Sequence, residues 1–194
     1  DDLISILRKA IPAESNLQED TVDINDLIRV AILLIYNGIS KKDVFEIKKS
    51  DMQILDNNLC FNDKICGLDP YTLSLVKKIM QSKYIHKRTK DRGYSELLIS
   101  EYLIELYPTS NIKYRRLTEA MVVINEKHTN ADGRDVSLSL DRVYEAGVFN
   151  RIYKNKASVN KHVRKKLLRK EFRTGKLCYV QQDYENWLLA WGLG

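Results

Sequence analysis

The sequence predicts a mainly α protein with a small antiparallel β-sheet. Three observations lead there. Most of the 194 residues fall in stretches whose apolar positions repeat at helical spacing, several with capping residues at their ends. Three short strand-like pieces, MQIL, LCF and KIC, succeed one another between residues 52 and 66, separated by the turn-forming DNN and ND. Only three prolines interrupt the chain.

Taken in order, Asp23 or Asn25 can cap a helix through DLIRVAILLIYN, and Gly38 stands where a left-handed residue would end it. Ser40 and Asp43 then have capping-box-like spacing for a second, charged helix with Val44, Phe45 and Ile47 on its apolar face. The small sheet comes next. Asp69 followed by Pro70 is a cap with proline at the first helical position, starting YTLSLVKKIMQ. The polar, basic stretch from Lys83 to Gly93 reads as a loop. Further helices are expected at SELLISEYLIELY, LTEAMVVINEKH, SLDRVYEAGVFNRIYK, VNKHVRKKLLRKEF and YVQQDYENWLLAW.

With 44% hydrophobic and 30% charged residues the composition is that of an ordinary globular domain able to bury a substantial core. No apolar run reaches the roughly eighteen residues of a membrane span, and DDLISILRK lacks a basic region ahead of an apolar one. The expectation is a cytoplasmic protein with no membrane partner. Cys60, Cys66 and Cys178 cannot all pair and show no CxxC spacing, and His86, His128 and His162 have no HxxxH relation, so no metal or cofactor is expected. No GxSxG or GxxxxGK[ST] motif is present, which argues against a hydrolase nucleophile or a phosphate loop.

Charge is unevenly spread. The net charge is +6, yet Arg151 to Leu177 holds eleven Lys or Arg against one acid, Glu171, leaving the remainder slightly acidic. So dense a block of one sign repels itself unless a polyanion lies nearby, which points to nucleic acid. A smaller cluster, KYIHKRTKDR, adds five basic residues and one acid. The candidate double-stranded DNA contacts are Lys41, Lys42, Lys64, Lys87, Arg88, Lys90, Arg92, Arg115, Arg116, Arg142, Arg151, Lys154, Lys156, Lys161, Arg164, Lys165, Arg169 and Arg173.

The stretch GISKKDVFEIKKSDM, residues 38–52, resembles the first conserved box of the tyrosine recombinase (phage integrase) catalytic domain, whose usual wording is close to GLRISELLALKWSDI. Without a gap it keeps the glycine, an acid at Asp43, apolar residues at 44, 45 and 47, Lys48, and Ser50-Asp51. The order helix, box, small sheet, then KICGLDPYTLSLVKKIM also agrees with the family. The resemblance implies an integrase catalytic-like domain over residues 1–194, with 178–194 as a C-terminal helical tail and an N-terminal core-binding domain in a longer parent. It implies, too, which residues would react. The first family arginine falls on Ser40, and the family lysine on Lys64. The second-box histidine and arginine fall on Asp141 and Tyr144 in one register, or on Ser139 and Arg142 in another; neither supplies both. The third-box Leu-Gly-His is absent. Tyr179 and Tyr184 lie in the nucleophile region, where packing is the expected role.

Strand cleavage needs an attacking tyrosine and guanidinium forks on the non-bridging oxygens, and a serine hydroxyl cannot replace such a fork. The implied function is a catalytically inactive, sequence-specific DNA-binding regulator, of the kind a temperate phage uses to maintain lysogeny in the bacterial cytoplasm. Two alternatives stand beside it: an active recombinase with a diverged site, and a helical protein-interaction module. A homo-oligomer through the C-terminal helix, which carries Trp187, Leu188, Leu189 and Trp191, and a protein or peptide antagonist are further conceivable partners.

Overall fold

A computed structural model describes residues 3–88, 93–98, 100–106, 110–132, 138–155, 160–172 and 177–190. The chain forms two compact units, residues 1–144 and 145–194.

The first unit is built around α2 (Ile24–Tyr36), in which every residue from Asp26 to Ile35 is buried. A helix buried on all sides belongs in the middle of a core, and α2 packs against α3 (Pro70–Gln81) and α4 (Ser110–Asp132). Asp23 is its N-cap, accepting from the Asn25 backbone N–H at 2.7 Å. At the other end the Gly38 N–H reaches the Ile35 carbonyl and the Ile39 N–H the Leu34 carbonyl, both at 3.0 Å. This is a Schellman closure, and Gly38 takes the left-handed φ of 101° that it requires. The buried charges on α2 are balanced: Arg29 and Lys78 both donate to the Asp26 carboxylate. A short α1 (Leu3–Ala10), not anticipated from the sequence, packs on α4 and buries Leu7 and Ala10.

The expected small antiparallel sheet is present as β2 (Gln53–Leu55), β3 (Asn58–Phe61) and β4 (Lys64–Gly67), in sequence order. Asn62 and Asp63 both have positive φ, 45° and 57°, as the two-residue turn into β4 demands. α3 starts as predicted, with the Asp69 carboxylate accepting from the Thr72 N–H at 2.9 Å and proline in the first turn.

Three expectations are corrected. The basic stretch after α3 is not a loop: Tyr84–Arg88 is β5, parallel to β1 (Thr21–Asp23) and antiparallel to β6 (Gly93–Leu97), so the protein has a second, mixed sheet. Ile85, opposite Val22, is its buried anchor. SELLISEYLIELY is not a helix. Its first residues belong to β6, and its later ones bond back to the stretch before β2, with the Lys49 N–H on the Glu101 carbonyl at 2.7 Å and the Leu103 N–H on the Ile47 carbonyl at 2.8 Å. Those long-range bonds also prevent the second charged helix. After Ser40 the chain instead makes one 3₁₀ turn at Asp43–Phe45 and another at Lys49–Asp51.

The second unit comprises most of α5 (Leu140–Lys154), with α6 (Lys161–Glu171) and α7 (Leu177–Ala190). Val148, Phe149, Ile152, Leu168, Val180, Tyr184 and Leu188 are buried. The Phe149 ring meets the Tyr184 ring edge-on at 5.3 Å, and Trp187 stacks on Tyr184 at 6.0 Å.

Candidate nucleic-acid interface

In the first unit, the Schellman closure of α2 delivers Ser40 to the start of a tight turn. Its hydroxyl accepts from the Asp43 N–H at 3.1 Å and its carbonyl from the Val44 N–H at 3.0 Å, so Ser40 serves the backbone. The Asp43 carboxylate in turn accepts from Lys64 Nζ at 2.6 Å, across from the turn that opens β4. Burial pushes the Asp43 carboxyl upward, but the Lys64 ammonium, the Ser40 hydroxyl and the charge of Lys42 outweigh it and hold the pKa below the usual carboxylate value. Beside this pair, Lys41 binds Asp141 at 2.8 Å. Positions 40, 41, 43, 64 and 141, scattered over a hundred residues of sequence, thus meet around one turn.

Asp141 is in the first turn of α5, whose N-terminus is capped by Ser139: the Arg142 N–H lies 3.2 Å from the Ser139 hydroxyl. The Asn125 side chain fixes the approach to that cap, donating to the Leu138 carbonyl at 3.0 Å and accepting from the Leu138 N–H at 2.7 Å. A cleft of about 290 Å³ lies here, lined by Lys41, Met121, Asn125, Leu138, Ser139 and Asp141 among others. Tyr144 is half-buried. Lys48 is tied to Glu101 at 3.4 Å, whose charge raises the lysine pKa.

The predicted DNA contacts separate into two groups. Among the described side chains of the first unit, most already have a carboxylate partner: Lys41 and Lys64 as described, Lys87 on Glu96, and Arg115 and Arg116 on Glu119. Lys42 is exposed and bound to no carboxylate among the described residues. Arg142 opens α5 from an exposed position. In the second unit, Arg151 pairs with Glu171 at 3.8 Å, and the Arg164 guanidinium lies over the Tyr184 ring, 5.5 Å from its centroid. Lys154 is exposed. On α6, Lys161, Lys165, Lys166, Arg169 and Lys170 are all exposed, and none has an ion-pair partner among the described residues. Their helix is anchored from behind by the buried Leu168 and is capped by Asn160, which accepts from the His162 N–H at 2.9 Å. Lys90, Arg92, Lys156, Arg173 and the Arg88 side chain lie outside the described residues, as does Trp191.

Tyr184 is only 1% exposed and sits in the aromatic core of its unit, whereas Tyr179 is 72% exposed on α7. Trp187 packs against Phe149, Tyr153 and Tyr184, and Leu189 faces outward. Among the described residues no group of three or more His, Cys, Asp or Glu is placed to hold a metal ion, and no helix is long and apolar enough to cross a membrane. Sequence reasoning missed the part played by Asp43 and Asp141 as lysine partners, because only the fold brings residues 21 and 100 positions apart into contact. Compared with known proteins, the chain matches no protein-family model, no curated protein and no solved structure.

Proposed function

We propose that this protein is a non-catalytic, sequence-specific regulator that binds double-stranded DNA chiefly through the exposed face of α6, on a degenerate tyrosine-recombinase scaffold. The observation that carries the reading is the row of five exposed cations on that helix, none with an ion-pair partner among the described residues. Exposed cations without carboxylate partners are the ones that release counterions when they meet phosphates. An eleven-residue helix is about 16 Å long, and duplex DNA presents roughly one negative charge per 1.7 Å of axis, enough phosphates to occupy them all.

The recombinase ancestry is supported by the meeting of Ser40, Lys64 and Asp141, the positions where the family likeness puts an arginine, a lysine and, in one of its two registers, a histidine, at one turn of the first unit. The non-catalytic reading is supported by the residues that occupy those positions. Loss of one oxyanion donor costs on the order of 10²–10³ in rate, and here a hydroxyl engaged with its own backbone stands where the first guanidinium would be. A protein that grips DNA without cutting it suits a repressor, and we place it with regulators resembling the master repressor that maintains lysogeny in SPbeta-type temperate phages.

The test is binding to duplex DNA together with trapping on a nicked substrate. Reversible, salt-sensitive binding with no denaturant-stable protein–DNA adduct is expected. An adduct that disappears in Tyr179→Phe would establish the active-recombinase alternative instead, and binding indifferent to salt would favour a protein-interaction module.

A further inference from the structure

We infer that Asp43 and Asp141 are built-in competitors of DNA phosphate, each occupying a lysine that duplex DNA must take over in order to seat on the first unit. The inference rests on the DNA-binding reading and adds to it an internal brake on affinity. The geometry is that of a phosphate contact already made. A carboxylate oxygen stands 2.6 Å from Lys64 Nζ and another 2.8 Å from Lys41 Nζ, distances at which a phosphate oxygen would bind an ammonium.

Both pairs are open enough to be exchanged. The Lys64 side chain is 54% exposed against 30% for Asp43, and Lys41 is 41% exposed against 71% for Asp141. Exposed ion pairs of this kind hold weakly, so an incoming phosphate is not locked out. It gains little, however, by replacing one anion with another, and it must displace a carboxylate that otherwise repels it. The two lysines therefore add less to affinity than the unpaired cations of α6. Anchoring makes the arrangement specific: Asp43 is held in the Ser40 turn, Lys64 is placed by the Asn62-Asp63 turn, and Asp141 lies in the first turn of α5 behind the Ser139 cap. None of the three is on a side chain adrift at a terminus.

The experiment is a pair of double-mutant cycles read by equilibrium DNA binding as a function of salt, using the whole chain. Asp43→Asn is measured with Lys64 intact and in Lys64→Met, and Asp141→Asn with Lys41 intact and in Lys41→Met. Freeing one lysine for one phosphate is expected to tighten binding about threefold to tenfold near 0.15 M salt and to steepen the slope of log K against log[salt] by about 0.9. Both gains should vanish when the partner lysine is methionine. Asp63→Asn is the control: it removes the same charge one residue from Lys64, at an exposed position whose positive φ asparagine tolerates. An equal gain in Asp63→Asn, or a gain from Asp43→Asn or Asp141→Asn that survives the methionine background, would overturn the inference in favour of general charge. Unchanged affinity in both asparagine variants, with the wild type still binding DNA in a salt-dependent way, would overturn it while leaving the DNA-binding reading intact. Absence of salt-dependent binding in every variant would overturn both.

Discussion

A carboxylate three residues beyond Ser40 decides what the turn can hold. Asp43 is stabilised as an anion by Lys64 and Ser40, so its folded-state pKa lies below the value of about 3.8 that it has in an unfolded chain. A depressed carboxyl contributes stability that is present above the unfolded pKa and is lost as pH falls through the folded one. Chemical denaturation of wild type and Asp43→Asn should therefore differ by a constant amount between pH 5 and 7, with the difference shrinking below about pH 3.8; a difference that stays constant down to pH 2 would remove Lys64 and Ser40 as its cause. Asp69 does a different kind of work, satisfying the Thr72 N–H at the start of α3. Asp69→Ala should cost about 1 kcal/mol, visible as a lower denaturant midpoint at unchanged slope. Asp69 and Asp23 were legible as caps because capping depends on spacing of two or three residues. The pairing of Lys41 with Asp141 was not, since nothing local in either segment requires it.

At the scale of the element, the helices that carry their own signals appear where they were expected: α2 with its cap and glycine stop, α3 with Asp-Pro, and α5 to α7 with their periodicity. Where the reading failed, a long-range partner had overridden local pattern. The residues of SELLISEYLIELY have helical spacing, yet β6 pairs with β5, and the Lys49 and Leu103 amides donate to the distant Glu101 and Ile47 carbonyls. The cost of ending α2 is met by Gly38, whose φ of 101° is strained for any residue with a Cβ. Gly38→Ala is expected to destabilise the protein by about 1–2 kcal/mol and to loosen the Ser40 turn behind it, detectable as faster hydrogen exchange at the Asp43 and Val44 amides. Equal stability and unchanged exchange would show that another residue fixes the turn.

Across the whole molecule, each unit has its own core. In the first, α2 is enclosed by its neighbours over ten successive residues, and its amides should be the slowest to exchange in that unit. In the second, a ring cluster takes the place of such a helix. Tyr184→Ala removes its central ring and should cost about 3–5 kcal/mol in the thermal or denaturant unfolding of residues 145–194, whereas the exposed Tyr179→Ala should change stability by no more than about 0.5 kcal/mol. The basic character of residues 151–177 was visible from composition alone. Which of those cations are unengaged was not, because Arg151 and Arg164 look like Lys165 and Arg169 until Glu171 and the Tyr184 ring are placed beside them. The central claim is that the unengaged ones hold DNA. Its most direct test is the salt dependence of duplex binding by wild type and by a variant with Lys161, Lys165, Lys166, Arg169 and Lys170 all changed to Gln. The slope of log K against log[salt] should become shallower by about 4 to 5, with affinity falling accordingly; a slope and affinity equal to those of the wild type would contradict the assignment of α6 as the DNA-binding face.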